Sequence, residues 1–517
     1  MKKRILKTVS AFLILSLFAG GLTSCKREEK KAANENVTLK WVMSGPGMQK
    51  DSKLVWDEAN KLLSELLPNT TLDIEVIPIS DYADKWKLIE ASEKPVDIAW
   101  CGWMIDFTAE VRRGAYTEIG ELLKEHAPKL RKSMPEWVWE NVSDDGGIYA
   151  IPCYQRMVST PAGLMTFKEY SDEYFHAEKF EEIMQDVRNA PCGSEPISEE
   201  AFEMIDSYLG ALKRDGKLKK GFRPDIEAWI PERNIYQGTQ VETAYISFDE
   251  NGKPTAHDAY SLELTDTFYK YMSEFYKKGY IREDVLTTSS FDDRIGREGY
   301  VLWCSNYDAM TERMVSLSAG EEIKVLPLGN VVSKTNSAFG TNLVIPKTAE
   351  NPERAIKFLE ILNDPEDTRL YNLLVYGIEG KHYEKTDKNK IRTFDYSGAP
   401  DTDSAYGIQK WMIGNTFNAY LTQADLPEYN EYLLNDLNVN FSAPNLEGFR
   451  FDPEPVKIEL AKIENVQKKF KGLRYGFYED YKEKVREYRS EIQNCGQQAV
   501  IKEIQRQLDL WYESCQK

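Results

Sequence analysis

Aromatic side chains stand beside amides and a guanidinium at several points where the sequence predicts the end of a β-strand. A sugar has apolar C–H faces and edges dense with hydroxyls, so flat rings next to hydrogen-bonding groups are suited to bind it. We therefore predict a carbohydrate-binding site. Its candidate residues are Trp100, Trp103, Tyr154, Gln155, Arg156, Trp303, Asn306, Asn342, Trp411 and Asn415.

Core packing is the competing interpretation of every aromatic candidate, because the chain has 11 tryptophans and such large rings are usually well buried. The exposure of each ring decides between the two interpretations. Four other tryptophans lie in predicted helices and are expected to be structural: Trp56, Trp86, Trp137 and Trp139.

A peptide or an amino acid is an alternative solute. A zwitterion would require a buried arginine for its carboxylate and an acid for its amine. Arg156 is the one base at a candidate strand end, and it could equally bind a uronic acid or a sugar hydroxyl.

Catalysis has no recognisable motif in this chain. Glycoside hydrolysis needs two carboxylates roughly 5 to 9.5 Å apart, and nothing singles out such a pair among 84 acidic residues. The sequence has no GxSxG elbow, no HExxH, no Walker loop and no GxGxxG after a strand. We expect no enzymatic activity, and an exported glycan-active enzyme is the alternative.

The cysteines and histidines do not show metal-ligand spacing, so no metal and no cofactor are predicted. Six cysteines follow Cys25; their even number permits disulfides, but their wide spacing favours free thiols. Cys101, Cys153 and Cys304 each adjoin a predicted strand end. Small residues at crowded strand ends explain them better than a shared metal or redox site.

Alternating strands and helices must position the candidate residues. Apolar patterns predict strands over residues 39–43, 72–76 and 96–100, with helices over 55–66 and 82–91 between them. This β-α-β-α-β order predicts a parallel sheet whose ligands bind at the carboxyl ends of the strands. Those ends are residues 43–47, 78–81 and 100–103.

Later segments continue the mixed pattern. Further strands are predicted over 147–152, 299–305, 324–327 and 342–346, and an amphipathic helix over 262–279. Asn351 is the expected cap of another helix, with Pro352 at its first position. Residues 409–517 are mostly helical by pattern.

The amino terminus has the composition of an export signal. Lys2, Lys3, Arg4 and Lys7 precede an apolar run of about 13 residues, which is shorter than the about 20 needed to span a membrane. The run ends in Leu22-Thr23-Ser24-Cys25, the pattern of a bacterial lipobox. We predict a signal peptide over 1–24, lipid (palmitate) on Cys25 and a charged tether over 25–37. The protein is therefore expected at the extracellular face of the cell membrane.

The body of the chain is that of an acidic globular protein. It is 42% hydrophobic and 12% aromatic, which is enough for at least two domains in 517 residues. The formal charge of −18 argues against nucleic acid as a partner.

Several segments, taken in order, resemble the bacterial extracellular solute-binding lipoproteins of ABC importers. The similarity is to family 1, the sugar-binding type, and in particular to a Gram-positive subgroup with an extra C-terminal domain of unknown function. It covers nearly the whole chain. The segments are residues 22–25, 97–100, 147–152, 340–346, 351–355, 371–380, 448–453 and 505–509.

This resemblance implies an α/β fold of the periplasmic-binding-protein-like type II. Two α/β lobes then surround a cleft, joined by multiple hinge crossovers, with a helical C-terminal region. Lobe one would take residues 38–155 and 323–400, and lobe two would take 156–322 and 401–517. The implied function is a monomeric, lipid-anchored receptor that delivers a carbohydrate, expected to be an oligosaccharide, to ABC permease subunits.

Overall fold

The computed structural model describes residues 35–189, 198–224, 244–261, 263–286, 299–328, 333–334, 340–396, 399–441, 446 and 449–516. The predicted signal peptide and Cys25 lie outside the described residues. Within these ranges no helix combines the length and apolarity needed to cross a bilayer.

The described strands lie between residues 37 and 393. They are β1 (Val37–Gly45), β2 (Thr70–Pro78), β3 (Ile98–Gly102), β4 (Ser143–Asp144), β5 (Gly147–Ile148), β6 (Ala150–Pro152), β7 (Val158–Ser159), β8 (Ala162–Phe167), β9 (Gly221–Arg223), β10 (Ala244–Phe248), β11 (Pro254–Asp258), β12 (Tyr300–Asn306), β13 (Ile323–Pro327), β14 (Ser333–Lys334), β15 (Thr341–Val344), β16 (Tyr383–Asp387) and β17 (Lys390–Thr393).

Helices separate the strands and fill the C-terminal part. They are α1 (Ser52–Leu66), α2 (Tyr82–Ala91), α3 (Phe107–Arg112), α4 (Gly120–His126), α5 (Pro128–Lys132), α6 (Glu136–Glu140), α7 (Lys168–Tyr174), α8 (Ala177–Asn189), α9 (Glu199–Arg214), α10 (Glu263–Lys277), α11 (Thr311–Ala319), α12 (Pro352–Leu362), α13 (Arg369–Tyr376), α14 (Tyr429–Tyr432), α15 (Lys457–Lys469), α16 (Tyr481–Asn494) and α17 (Gln497–Cys515). A π-helical turn, Leu433–Leu437, follows α14.

A five-stranded sheet in the order β2-β1-β3-β15-β6 is the centre of the first lobe. β1 pairs in parallel with β2 and β3, which confirms the prediction from the β-α-β-α-β pattern. β15 runs antiparallel to both of its neighbours. β3 is buried along its whole length, as expected for a strand covered on both faces.

A second sheet in the order β13-β8-β12-β9 is the centre of the second lobe. β8 is antiparallel to β12 and β13, and β12 is parallel to β9. The C-terminal helices add to this lobe, because Ile463 of α15, Ile492 of α16 and Leu508 of α17 are all fully buried in its core.

Separate hydrophobic cores underlie the two sheets. The first contains buried residues from 39–157 and 343–413, and the second contains buried residues from 164–328 and 449–508. Val158, Leu433 and Leu437 form a third, small cluster. The chain therefore passes between the two cores near residue 158, between 328 and 343, and again after 413.

Two of these passages correct the predicted lobe boundaries. Residues from 323 onward were assigned to lobe one, but β13 pairs with β8 and buries Ile323 and Leu326 in the second core. Residues from 401 onward were assigned to lobe two, yet Tyr406 and Ile408 lie in the first core. An apolar pattern identifies a buried segment but does not identify the sheet that buries it.

The structure also modifies two local predictions, one for the strand over 147–152 and one for the cap at Asn351. The strand over 147–152 is broken, because β5 turns back on β4 through Asp145 and Gly146, whose φ angles are 49° and 82°, and only β6 joins the large sheet. Asn351 does occupy the N-cap position of α12, with Pro352 in the first turn, but its side chain makes no capping hydrogen bond.

Candidate functional site

Trp103 is the most exposed of the predicted aromatic residues. It follows the carboxyl end of β3, and 40% of its surface is exposed. The half-buried indole of Trp411 lies beside it, with ring centroids 5.7 Å apart and planes inclined by 38°. We call Trp103 and Trp411 the aromatic platform. A flat sugar face can stack on an indole that is open to solvent in this way.

Trp100 packs against the Trp103 ring of the aromatic platform. Its ring meets the Trp103 ring edge-on at 5.3 Å and an interplanar angle of 88°, and none of its surface is exposed. The Tyr82 hydroxyl donates to the Trp100 carbonyl oxygen at 2.6 Å. A Cβ atom on Gly102 would lie 2.2 Å from the Trp100 ring, so only glycine permits this arrangement. Trp100 was predicted to contact the ligand, but its ring is covered.

Gln155 joins three chain segments that are distant in sequence. Its Nε2 donates to the Thr341 hydroxyl at 2.7 Å and to the Trp411 carbonyl oxygen at 3.0 Å. The Thr341 hydroxyl in turn donates to the same carbonyl oxygen at 2.6 Å. We call Gln155, Thr341 and the Trp411 carbonyl the hinge knot. It lies where the chain leaves β6, enters β15 and passes the platform.

Arg156 faces a buried carboxylate. Its Nη1 lies 4.0 Å from Oδ2 of Asp308, whose side chain is 1% exposed. The Tyr429 hydroxyl donates to the same oxygen at 3.0 Å. Burial and the nearby Asp308 carboxylate raise the pKa of Tyr429, so this hydroxyl keeps its proton and remains a donor. Arg156 therefore already has an ionic partner within the protein.

Three other predicted ligand residues are buried. Trp303 is 4% exposed in the second core, with its ring 6.3 Å from that of Phe167. Tyr154 packs edge-on against Phe417 at 5.2 Å. Asn342 is 2% exposed and directs its Nδ2 to the Cys101 carbonyl oxygen at 3.4 Å. Their placement favours structural roles.

The last two candidates differ from each other. Asn306 is exposed at the end of β12, opposite Ala162. Asn415 caps a short 3-10 turn, since its Oδ1 accepts from the Phe417 amide at 3.0 Å. The structure thus brings Trp100, Trp103, Trp411 and Gln155 together, whereas Trp303 lies apart from them in the other core.

Sequence reasoning missed Thr341, Asp308, Tyr429 and Asn438. The Asn438 side chain accepts from the Met157 amide at 2.8 Å and donates to the Gln155 carbonyl oxygen at 2.7 Å. Asp308 lies three residues beyond the end of the predicted strand over 299–305, so a wider window would have included it. No local pattern points to Thr341 or Asn438, because their partners are far away in sequence.

The three thiols at strand ends do not form one cluster. Cys101 and Cys153 are buried in the first core, whereas Cys304 is half-buried against the second. Burial raises the pKa of Cys153 to about 12 and also raises the pKa of Cys101, so neither forms a thiolate at neutral pH. Over the described residues, no group of three or more His, Cys, Asp or Glu side chains is arranged to hold a metal ion.

The C-terminal helices match a family model described as a domain of unknown function, DUF3502, over residues 445–513. A carbohydrate ABC transporter substrate-binding protein of Streptococcus pneumoniae is 24% identical over 478 residues, which is 87% of each chain. This chain is a homologue of carbohydrate ABC transporter substrate-binding proteins. The DUF3502 match agrees with the extra C-terminal domain that the sequence resemblance implied.

Other homologues and solved structures extend the comparison. A polygalacturonan/rhamnogalacturonan-binding protein of Bacillus subtilis is 24% identical over 84% of this chain and 86% of its own. An N-glycan transport solute-binding protein from S. pneumoniae, solved with Man1GlcNAc, superposes with a TM-score of 0.71 at 22% identity and covers 92% of this chain and 99% of that one. A second S. pneumoniae substrate-binding protein, solved with kestose, gives a TM-score of 0.54 at 15% identity, covering 92% and 100%. The fold is therefore that of the type II periplasmic solute-binding proteins, as predicted.

Proposed function

We propose that this protein binds an oligosaccharide at the aromatic platform, between its two lobes, and delivers it to an ABC importer. The exposed indole of Trp103 beside Trp411 is the observation that carries the proposal. Exposed indoles at the end of a sheet suit sugar faces, and the homologues are named for carbohydrate or polysaccharide binding. No catalytic step belongs to this role.

The charge arrangement favours a neutral sugar over a peptide. Arg156 is the one base among the predicted ligand residues, and its guanidinium already pairs with the buried Asp308 carboxylate. A zwitterion would have to displace that pairing, which costs free energy because it would leave a buried charge without a partner.

The same proposal includes export and anchoring. The lipobox around Cys25 supports lipid attachment at the extracellular face of the membrane. We expect the anchored protein to be a monomer. A Cys25→Ala variant should lose incorporation of labelled fatty acid and leave the membrane fraction. Retention of both would contradict the anchor. The molar mass of the purified protein, measured by light scattering, tests whether it is a monomer.

A ligand panel tests the solute class. Thermal-shift measurements with mono- and oligosaccharides beside di- and oligopeptides should show stabilisation by an oligosaccharide, because a ligand that binds only the folded state raises the melting temperature. Stabilisation by peptides alone would overturn the proposal. Appearance of shorter glycans after incubation would instead indicate an enzyme.

Replacing Trp103 with alanine tests the platform. We expect binding of the identified sugar to weaken more than tenfold, which corresponds to about 1.4 kcal/mol, with little change in the melting temperature of the free protein. Trp511→Ala is the matched control, since that half-buried tryptophan lies in the DUF3502 region. A fall of many degrees for Trp103→Ala would identify Trp103 as a core residue.

A further inference from the structure

The hinge knot connects the lobe crossings to the aromatic platform. Gln155 belongs to the first crossing, Thr341 to the second, and Trp411 to the third, and their hydrogen bonds all involve the Trp411 carbonyl or the Gln155 amide. A residue that moves in any one crossing therefore changes the hydrogen bonds of the other two.

The amide nitrogen of Gln155 is fully used inside the protein. A side-chain amide has two N–H bonds, and the nearest acceptors of Gln155 Nε2 are the Thr341 hydroxyl at 2.7 Å and the Trp411 carbonyl oxygen at 3.0 Å. The Cys153 carbonyl oxygen lies farther away, at 3.4 Å. This end of the side chain cannot also donate to a sugar. The sequence predicts that Gln155 contacts the ligand, but the geometry gives its N–H donors a different task.

That task concerns the Trp411 indole. The backbone carbonyl oxygen of Trp411 accepts hydrogen bonds from both Gln155 and Thr341. These bonds use both lone pairs of the oxygen and fix the orientation of the peptide group that follows Trp411. A fixed peptide group restricts where the attached side chain can lie. The Trp411 ring is thereby held 5.7 Å from the Trp103 ring.

We propose that Gln155 and Thr341 are positioning residues, which set the Trp411 ring against Trp103 and make the platform depend on the geometry of the lobe crossings. Rotation of lobes occurs at a few such crossing positions, so platform geometry and lobe closure become linked. This inference rests on the proposed sugar-binding function for its effect on affinity, but its effect on the indole pair does not.

Two substitutions at Thr341 test the inference. Thr341→Val keeps the shape but removes the hydroxyl, whereas Thr341→Ser keeps the hydroxyl. Circular dichroism of the coupled indoles reports the arrangement of the pair directly, and Trp411→Phe defines the spectrum without the pair. We expect Thr341→Val and Gln155→Leu to shift toward the Trp411→Phe spectrum and to weaken sugar binding about fivefold to tenfold. Thr341→Ser should resemble the wild type in both measurements.

The outcomes separate the two proposals. Wild-type spectra and affinities in both Thr341→Val and Gln155→Leu would overturn the positioning role. Changed spectra in a protein that binds no oligosaccharide at all would overturn the proposed function and leave the positioning role supported. If either variant fails to fold, the other variant and the Thr341→Ser rescue decide the question, since a purely structural defect would not reproduce the Trp411→Phe spectrum.

Discussion

Two of the contacts between the first lobe and the C-terminal part of the chain differ in chemistry. Near the hinge, the neutral side chain of Asn438, 4% exposed, binds the backbone of Gln155 and Met157. Further along, Arg450 donates to the carbonyl oxygens of Glu140 and Ser143, and its side chain is 20% exposed.

Charged side chains and an open cavity surround the second contact. Arg450 lies 3.6 Å from Asp144, which Arg112 also approaches at 3.4 Å. The contact borders an open cavity of about 450 Å³. The cavity is lined by Arg112, Ser143, Asp144, Asp145, Phe449, Arg450, Gln507, Leu510 and Trp511.

The contrast between the two contacts explains how one fold can hold its lobes together and still let them move. A buried neutral hydrogen bond is costly to break, because the donor and the acceptor are then left with neither a protein partner nor water. Charged contacts beside water exchange partners at small cost and weaken with salt. We therefore expect the Asn438 contact to be permanent and the Arg450 contact to be adjustable.

The largest effect is expected from Asn438→Ala. It removes two hydrogen bonds that Asn438 makes in a buried position, to the Met157 N–H and to the Gln155 carbonyl oxygen, so the free energy of unfolding should fall by about 2 to 5 kcal/mol in denaturant titration. Asn440→Ala is the control, because Asn440 is exposed and its side-chain amide donates to the Asp436 side chain, while its backbone bond to the Asp436 carbonyl oxygen is unaffected by the substitution. Equal losses for the two variants would refute the comparison.

Arg450→Ala should have a smaller effect. Ser143 lines the open cavity and Glu140 is exposed, so the carbonyl oxygens that Arg450 binds can be hydrated instead. We therefore expect a loss of about 1 to 2 kcal/mol in the same titration. Arg450→Lys should recover part of the loss, since a lysine can bind one carbonyl but not both in the planar geometry of arginine. A loss as large as that of Asn438→Ala would show that this contact is permanent as well.

The smallest effect concerns the ion pair alone. A double-mutant cycle of Asp144→Asn and Arg450→Ala should give a coupling free energy below about 1 kcal/mol at low salt, because both groups are partly exposed. The coupling should decrease further as salt rises, whereas the Asn438→Ala loss should not change. If the loss of unfolding free energy in Asn438→Ala also depends on salt, the proposed distinction between the two contacts is wrong.

Local sequence patterns predicted the parts of the fold that depend on near neighbours. The alternation of strands and helices along the first part of the chain, from β1 through α1 to β2, was sufficient to predict the parallel half of the first sheet. The position of β13 was not predictable, because its apolar residues fit either core and pairing with β8 decides the matter.

The site shows the same limit. Trp100 and Trp103 are alike in type and stand at the same strand end, but Trp100 lies within β3 and is covered, whereas Trp103 lies beyond it and is open. Gln155 was recognised as a polar residue at a crossing, yet its partner Thr341 is 186 residues away. Hydrogen bonds over such separations follow from the completed fold and leave no local pattern.

The place of β15 in the first sheet has a consequence for the order of synthesis. β15 lies between β3 and β6, although it is made long after both of them. Until residue 344 is available, the facing edges of β3 and β6 have open hydrogen-bonding groups that can capture another chain. A nascent or truncated chain that stops before β15 should therefore aggregate and depend on a chaperone.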